Sequence, residues 1–180
     1  MDCVLAGAEM HRGGPLNSIV RRHMERDREK NEEDLVFVIR ATNIVETKMK
    51  EVIAAFIGAD PERADFVESY LLNNAVIPFA AKAKLILAIA NALSVKINRD
   101  AIHVLLSRRN AFAHQDHVNS LRVVTDRRGV PDVSYVVESF KASGELETIT
   151  HDRAFAEFVE AYSKVDSDLE ELHAKLRYDA

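Results

Sequence analysis

The chain has 180 residues, 47% hydrophobic and 29% charged, with a net charge of −5, 6 Gly and 4 Pro, which fits one helix-leaning domain able to bury a core. That charge argues against a protein that coats nucleic acid indiscriminately, and no segment reaches the roughly 18 apolar residues of a membrane span. Cys3 is the one cysteine, which excludes an internal disulfide, and the start MDCVLAGAEM lacks the basic lead and apolar run of a signal peptide, so a cytoplasmic setting is expected.

In chain order, residues 1–32 read as an N-terminal arm or helix. The stretch opens on a Gly-Gly-Pro break, and Arg21, Arg22, Arg26 and Arg28 are interleaved with Glu25, Asp27 and Glu29, a spacing suited to pairing within one helix. Residues 33–180 read as a single helical domain. Asn31 or Asp34 is the expected start of its first helix. Leu35, Val38, Ile39, Val45, Met49, Val52, Ile53 and Phe56 then follow helical spacing to Gly58. Asp60 with Pro61 restarts a helix that has Phe66, Val67, Tyr70 and Leu71 on one side, and Pro78 does the same for PFAAKAKLILAIANAL. That last segment is apolar nearly all round from Leu85 to Leu93, so burial between other helices is expected.

A helix from about Arg99 to Gln115 follows the break at Asn98, and then the period changes. LRVVTD, the turn signal RRGVPD and VSYVVESF read as two strands, with ELETIT as a candidate third, placing a small hairpin at about residues 121–149. Thr150 or Asp152 then caps a final helix striped by Phe155, Phe158, Val159, Tyr162, Val165, Leu169, Leu172 and Leu176. The expected fold class is therefore mainly α, a helical bundle with a small β-hairpin inserted before the last helix.

The segment SRRNAFAHQD raises the functional question. On a helical wheel of about 100° per residue, Ile102, Leu105, Leu106, Arg109, Phe112 and Ala113 form one stripe with Arg109 at its centre. A flanking strip within about 60° carries His103, Asn110, His114 and His117. A buried guanidinium requires an anion. One account supplies it internally, as a structural ion pair of Arg109 with Glu46, which lies on the apolar face of its own helix amid Leu35, Ile39, Thr42 and Ile53. The other account leaves Arg109 at a seam between subunits, where the anion is a phosphate. From Ser107 to Arg128, five arginines (Arg108, Arg109, Arg122, Arg127, Arg128) face two acids (Asp116, Asp126), so the local charge is positive.

Arg109, Asn110 and His114, within RRNAFAH, with four residues from Asn110 to Ala113 between the Arg and the His, resemble the Arg–polar residue–spacer–His signature of the HEPN superfamily, helical proteins that include metal-independent ribonucleases of toxin–antitoxin, phage-defence and RNA-guided systems. LVFVIRATNIVETKMKEVIAAFI and LLNNAVIPFAAKAKLILAIANAL look more like the mannitol operon repressor family, a non-catalytic-looking relative. The likeness runs from about Glu33 to His117. The superfamily resemblance implies a HEPN-like bundle and a homodimer whose motif helices meet across a two-fold axis to make one composite site. It assigns His114 to proton transfer at the attacking 2′-hydroxyl or leaving 5′-oxygen, Arg109 to the scissile phosphate, and Asn110 to orienting the imidazole or bonding RNA. Arg108 and His117 are candidate additional phosphate or RNA contacts. The likeness to the repressor family implies instead a dimeric regulator acting through protein–protein contacts, with Asn110 and His114 tying the helix to its neighbours.

Other chemistries find less support. His114 and His117 have metal-ligand spacing, but His103 lies about 16 Å from His114 along the axis at about 1.5 Å per residue, and no third ligand completes a zinc site. Gly13-Gly14 lacks the Lys-Ser/Thr of a phosphate loop, no Gly-Xaa-Ser-Xaa-Gly elbow is present, and Cys3 near the terminus is a poor nucleophile candidate. No cofactor and no metal are expected. The expected partners are a second copy, RNA, and a separately encoded antitoxin or regulatory protein, with no membrane. Direct DNA reading is disfavoured because no helix-turn-helix with a basic second helix is recognisable.

Overall fold

A computed structural model describes residues 15–113, 121–125, 131–140 and 145–178. The described residues form α1 (Pro15–Phe56), α2 (Pro61–Phe66), a π-helical segment (Val67–Leu71), α3 (Phe79–Ala92), α4 (Arg99–Ala113), strands β1 (Leu121–Thr125), β2 (Pro131–Phe140) and β3 (Leu146–Thr150), and α5 (His151–Tyr178). The protein is thus a mainly α bundle with a small antiparallel hairpin inserted before its last helix. Among the described residues no helix is long and apolar enough to cross a membrane.

The chain divides into two compact units, residues 1–33 and 34–180. In the first, Arg28 and Glu32 pair one turn apart at 3.0 Å, both exposed, which fits the interleaved charges of that stretch. Asn31 and Asp34, expected as helix starts, both lie inside α1. No glycine or proline occurs between Pro15 and Gly58, so nothing in the backbone interrupts the helix. In the second unit α1 buries Val38, Ala41, Thr42, Val45, Glu46, Met49 and Val52, while Ile39 and Phe56, expected inward, are 44% and 42% exposed.

The ends of the elements follow local chemistry. Gly58 terminates α1 at a φ of +67°, with Gly58 N–H donating to the Ala55 carbonyl and Ala59 N–H to the Ala54 carbonyl. This paired arrangement needs a left-handed residue. A Cβ at Gly58 would meet nothing within 4 Å, so the cost of Gly58→Ala is conformational alone. It is expected at about 1 kcal/mol, or a fall of about 2–4 °C in the thermal midpoint by calorimetry. Asp60 then accepts from Arg63 N–H at 3.0 Å with Pro61 at the first helical position.

The expected stripe Phe66, Val67, Tyr70, Leu71 does not form. Beyond Phe66 the backbone widens to i→i−5 bonding, with Leu72 N–H donating to the Val67 carbonyl at 2.7 Å. That puts Val67 and Leu72 on the inward side and turns Phe66, Tyr70 and Leu71 out to solvent. Similarly α3 is not buried all round. It buries Lys82, Ala83, Ile86, Ile89 and Ala90 and leaves Leu85 40% exposed.

Asn98 caps α4, its side-chain oxygen accepting from Ala101 N–H while its own N–H donates to Asp168 on α5. α4 packs along α5, and both pack on β2. The sheet has the order β1-β2-β3, so the candidate third strand is present. In register, Leu121 to Thr125 pair with Tyr135 to Pro131, and Leu146 to Thr150 pair with Phe140 to Val136. Among the sheet's described side chains, the cross-strand partners Val137 and Ile149 are buried. α5 begins at His151, one residue past Thr150, and buries Ala154, Phe158, Ala161, Val165, Leu169 and Leu172; Val159, expected in that stripe, is 37% exposed. Lys48 ties α1 to this helix through Asp166 at 2.6 Å and Glu170 at 2.8 Å.

Candidate functional site

The site is built on the last two turns of α4. The arc this helix buries contains Ala101, Ile102, Leu105, Arg108, Ala111 and Phe112. Its centre is about 70° from the expected one. Arg108 rather than Arg109 is the buried arginine, with Arg109, Asn110 and Ala113 exposed. The reason lies far along the chain. Arg108 bonds Glu147 on β3 at 2.7 Å and Glu157 on α5 at 2.7 Å, and Glu157 also takes Arg153 at 2.8 Å. Burial works against the Arg108 charge, and the two carboxylates more than offset it, holding the guanidinium pKa above its ordinary value.

Arg108 is therefore withdrawn from its expected role as a phosphate contact and clamps the sheet to the α4–α5 pair. Arg108→Met is expected to cost about 2 kcal/mol, less than a fully buried pair because Glu147 and Glu157 keep side-chain exposures of 26% and 28%. A thermal midpoint lower by about 4–8 °C is the expected reading.

The expected Glu46–Arg109 ion pair is absent. Glu46 is buried, as its wheel position predicts, but one carboxylate oxygen accepts from the Lys82 ammonium at 2.5 Å and the other from the Asn74 amide at 2.8 Å. Lys82 also donates to the Asn74 oxygen at 2.8 Å, closing a triangle between α1, α3 and the loop before α3. Sequence reasoning missed Lys82, although it falls in line with Ile86 and Ile89 on the buried face of α3.

Arg109 and Asn110 lie on the open side of α4. The Arg109 Nη1 donates to the Asn110 side-chain oxygen at 3.0 Å, and no carboxylate pairs with this guanidinium among the described residues. His103, two turns upstream of Asn110, is exposed on the same side, with Leu106 and Ser107 half-buried between. The exposed strip thus presents a charged donor, an amide and an imidazole. His114 and His117 lie outside the described residues, as do the side chains of Arg122, Arg127 and Arg128.

Compared with protein-family models, curated protein sequences and solved structures, the chain has no significant match.

Beneath this end of α4, where sequence reasoning placed nothing, His151 is buried with Asp34. Its Nδ1 is 3.7 Å from the Asp34 carboxylate, and its ring stands edge-on to Phe112 at 4.9 Å. A helical wheel of α5 alone cannot flag it, because its neighbours come from α1 and α4. A groove of about 460 Å³ between α4 and α5 is lined by Asn98, Asp100, Val104, Glu157, Glu160 and Lys164. It includes neither Arg109 nor Asn110, and its carboxylates suit an anion poorly. Among the described residues no three His, Cys, Asp or Glu side chains are placed to hold a metal ion.

Proposed function

We propose that this protein is a HEPN-type, metal-independent endoribonuclease, a toxin or phage-defence effector working as a homodimer. The observation that carries the reading is the exposure of Arg109 and Asn110 together on α4. The carboxylate expected to pair with Arg109 is instead committed to Lys82, so apart from the bond from Nη1 to Asn110 the guanidinium keeps its donors for an external anion.

In this mechanism Arg109 holds the scissile phosphate and stabilises the charge that builds on its oxygens. The His114 imidazole of one protomer takes the proton of the 2′-hydroxyl, whose oxygen attacks phosphorus. The P–O5′ bond breaks, and the second protomer's imidazolium protonates the leaving 5′-oxygen. The products are a 2′,3′-cyclic phosphate and a 5′-hydroxyl. Asn110, already bonded to Arg109, orients the cluster or bonds RNA. The second reading is a non-catalytic regulator of the mannitol operon repressor type, acting through a separately encoded partner. The mutual Arg109–Asn110 bond favours it, since that bond gives both groups a structural use.

Incubating the purified protein with mixed cellular RNA in excess EDTA separates the two. Cleavage leaving cyclic-phosphate ends, lost in His114→Ala and Arg109→Ala variants that remain folded, supports the ribonuclease. Absence of cleavage by the unaltered protein supports the regulator.

A further inference from the structure

The outward-turned face of α2 and the π-helical segment is apolar. Phe66 and Tyr70 are 60% and 65% exposed, yet their rings stack on each other at 5.4 Å and an interplanar angle of 23°. Leu71 and Val76 beside them in sequence are 45% and 61% exposed. An apolar concentration of this kind in one short stretch marks an interaction surface.

The surrounding charge defines the partner. Glu62 lies one turn before Phe66 on the same strip, and Asp65 adjoins it, whereas Glu68 lies towards α1. Arg63 is taken up by Asp60 at 3.3 Å. Among the described residues no cation forms an ion pair with Glu62, Asp65 or Glu68. The Glu68 carboxyl is held above its ordinary pKa by its burial and by Glu51 and Asp65, with Lys50 offsetting them only in part.

We propose that this aromatic ridge is the docking site for a cationic amphipathic helix of a partner protein. Its aliphatic side chains would pack over the Phe66–Tyr70 stack while Lys or Arg residues on its flanks meet Glu62 and Asp65. A second copy of this chain is disfavoured as occupant because an isologous contact would bring the same carboxylates face to face. RNA is disfavoured by the same charges.

The test is fluorescence anisotropy of the full-length protein with a labelled amphipathic Leu/Lys peptide of about five helical turns. A Leu/Glu peptide of identical pattern is the control. Phe66→Ser/Tyr70→Ser leaves net charge unchanged, so it separates docking from general attraction to an acidic protein. Binding of the Leu/Lys peptide about tenfold weaker in that variant is expected. Glu62→Lys/Asp65→Lys is expected to reverse the preference in favour of the Leu/Glu peptide. Equal binding by the unaltered protein and the double-serine variant would overturn the proposal. So would self-association in sedimentation, or binding of a single-stranded RNA oligomer, that the double-serine substitution abolishes.

Discussion

Lys82→Met is expected to destabilise the fold by about 3–5 kcal/mol, because it removes one partner of a buried ion pair and leaves the other behind. The Lys82 side chain is 0% exposed and that of Glu46 10%, so water cannot replace the lost ammonium. Urea unfolding at neutral pH should show a lower midpoint with the slope unchanged. Lys82→Met/Glu46→Leu, which removes both charges, should recover most of the loss. A cost below about 1 kcal/mol for the single change would mean that the pair is solvated like a surface one.

The same triangle sets an acid limit. Burial pushes the Glu46 carboxyl towards protonation, and the bonds from Lys82 and Asn74 more than offset it, so its folded pKa lies below the ordinary 4.5. A depressed carboxylate adds stability that is fully present above the unfolded value and lost as pH falls through the folded one. The loss therefore begins near pH 4.5 and continues below it, and Glu46→Gln should remove that part of the acid slope.

On the proposed ribonuclease reading, His114→Ala is expected to lower RNA cleavage by about 10²- to 10⁴-fold, the usual effect of losing a general acid–base group, and Arg109→Ala by about 10²- to 10³-fold. Arg109 is exposed and its bond is to its own neighbour, so its removal should leave stability within about 0.5 kcal/mol of the parent. That separates it from Arg108, whose removal acts through the fold. If Arg109→Ala cleaves at the parental rate while remaining folded, the phosphate role assigned to this guanidinium fails.

Local signals in the chain carried much of the architecture. Asp60-Pro61, Asn98 and Gly58 act through bonds within a few residues of themselves, and the change from helical to alternating period located all three strands. The register of Phe66 to Leu71 was not legible, since a π turn shifts the inward face without altering composition. Nor was the identity of the buried arginine. Two adjacent arginines differ only in which way α4 is rolled, and that is decided by Glu147 and Glu157 on later elements. The burial of Glu46 is legible from its helical wheel, but its cation is not, because Lys82 sits on a different helix and meets it only through the packing of α1 on α3.

The central strand β2 has a consequence for how the chain is expected to assemble. Its ten residues are divided between two neighbours, the first half pairing β1 and the second half β3, each through a short local connection. Such a meander can zip up before distant segments meet, and in doing so it shortens the stretch of free chain between α4 and α5. Each halving of that stretch lowers the closure entropy by about 0.6 kcal/mol. An early sheet would therefore ease the packing of α5 along α4. Substitutions weakening the β1–β2 pairing should accordingly slow refolding more than they speed unfolding, as the two arms of a chevron plot would record.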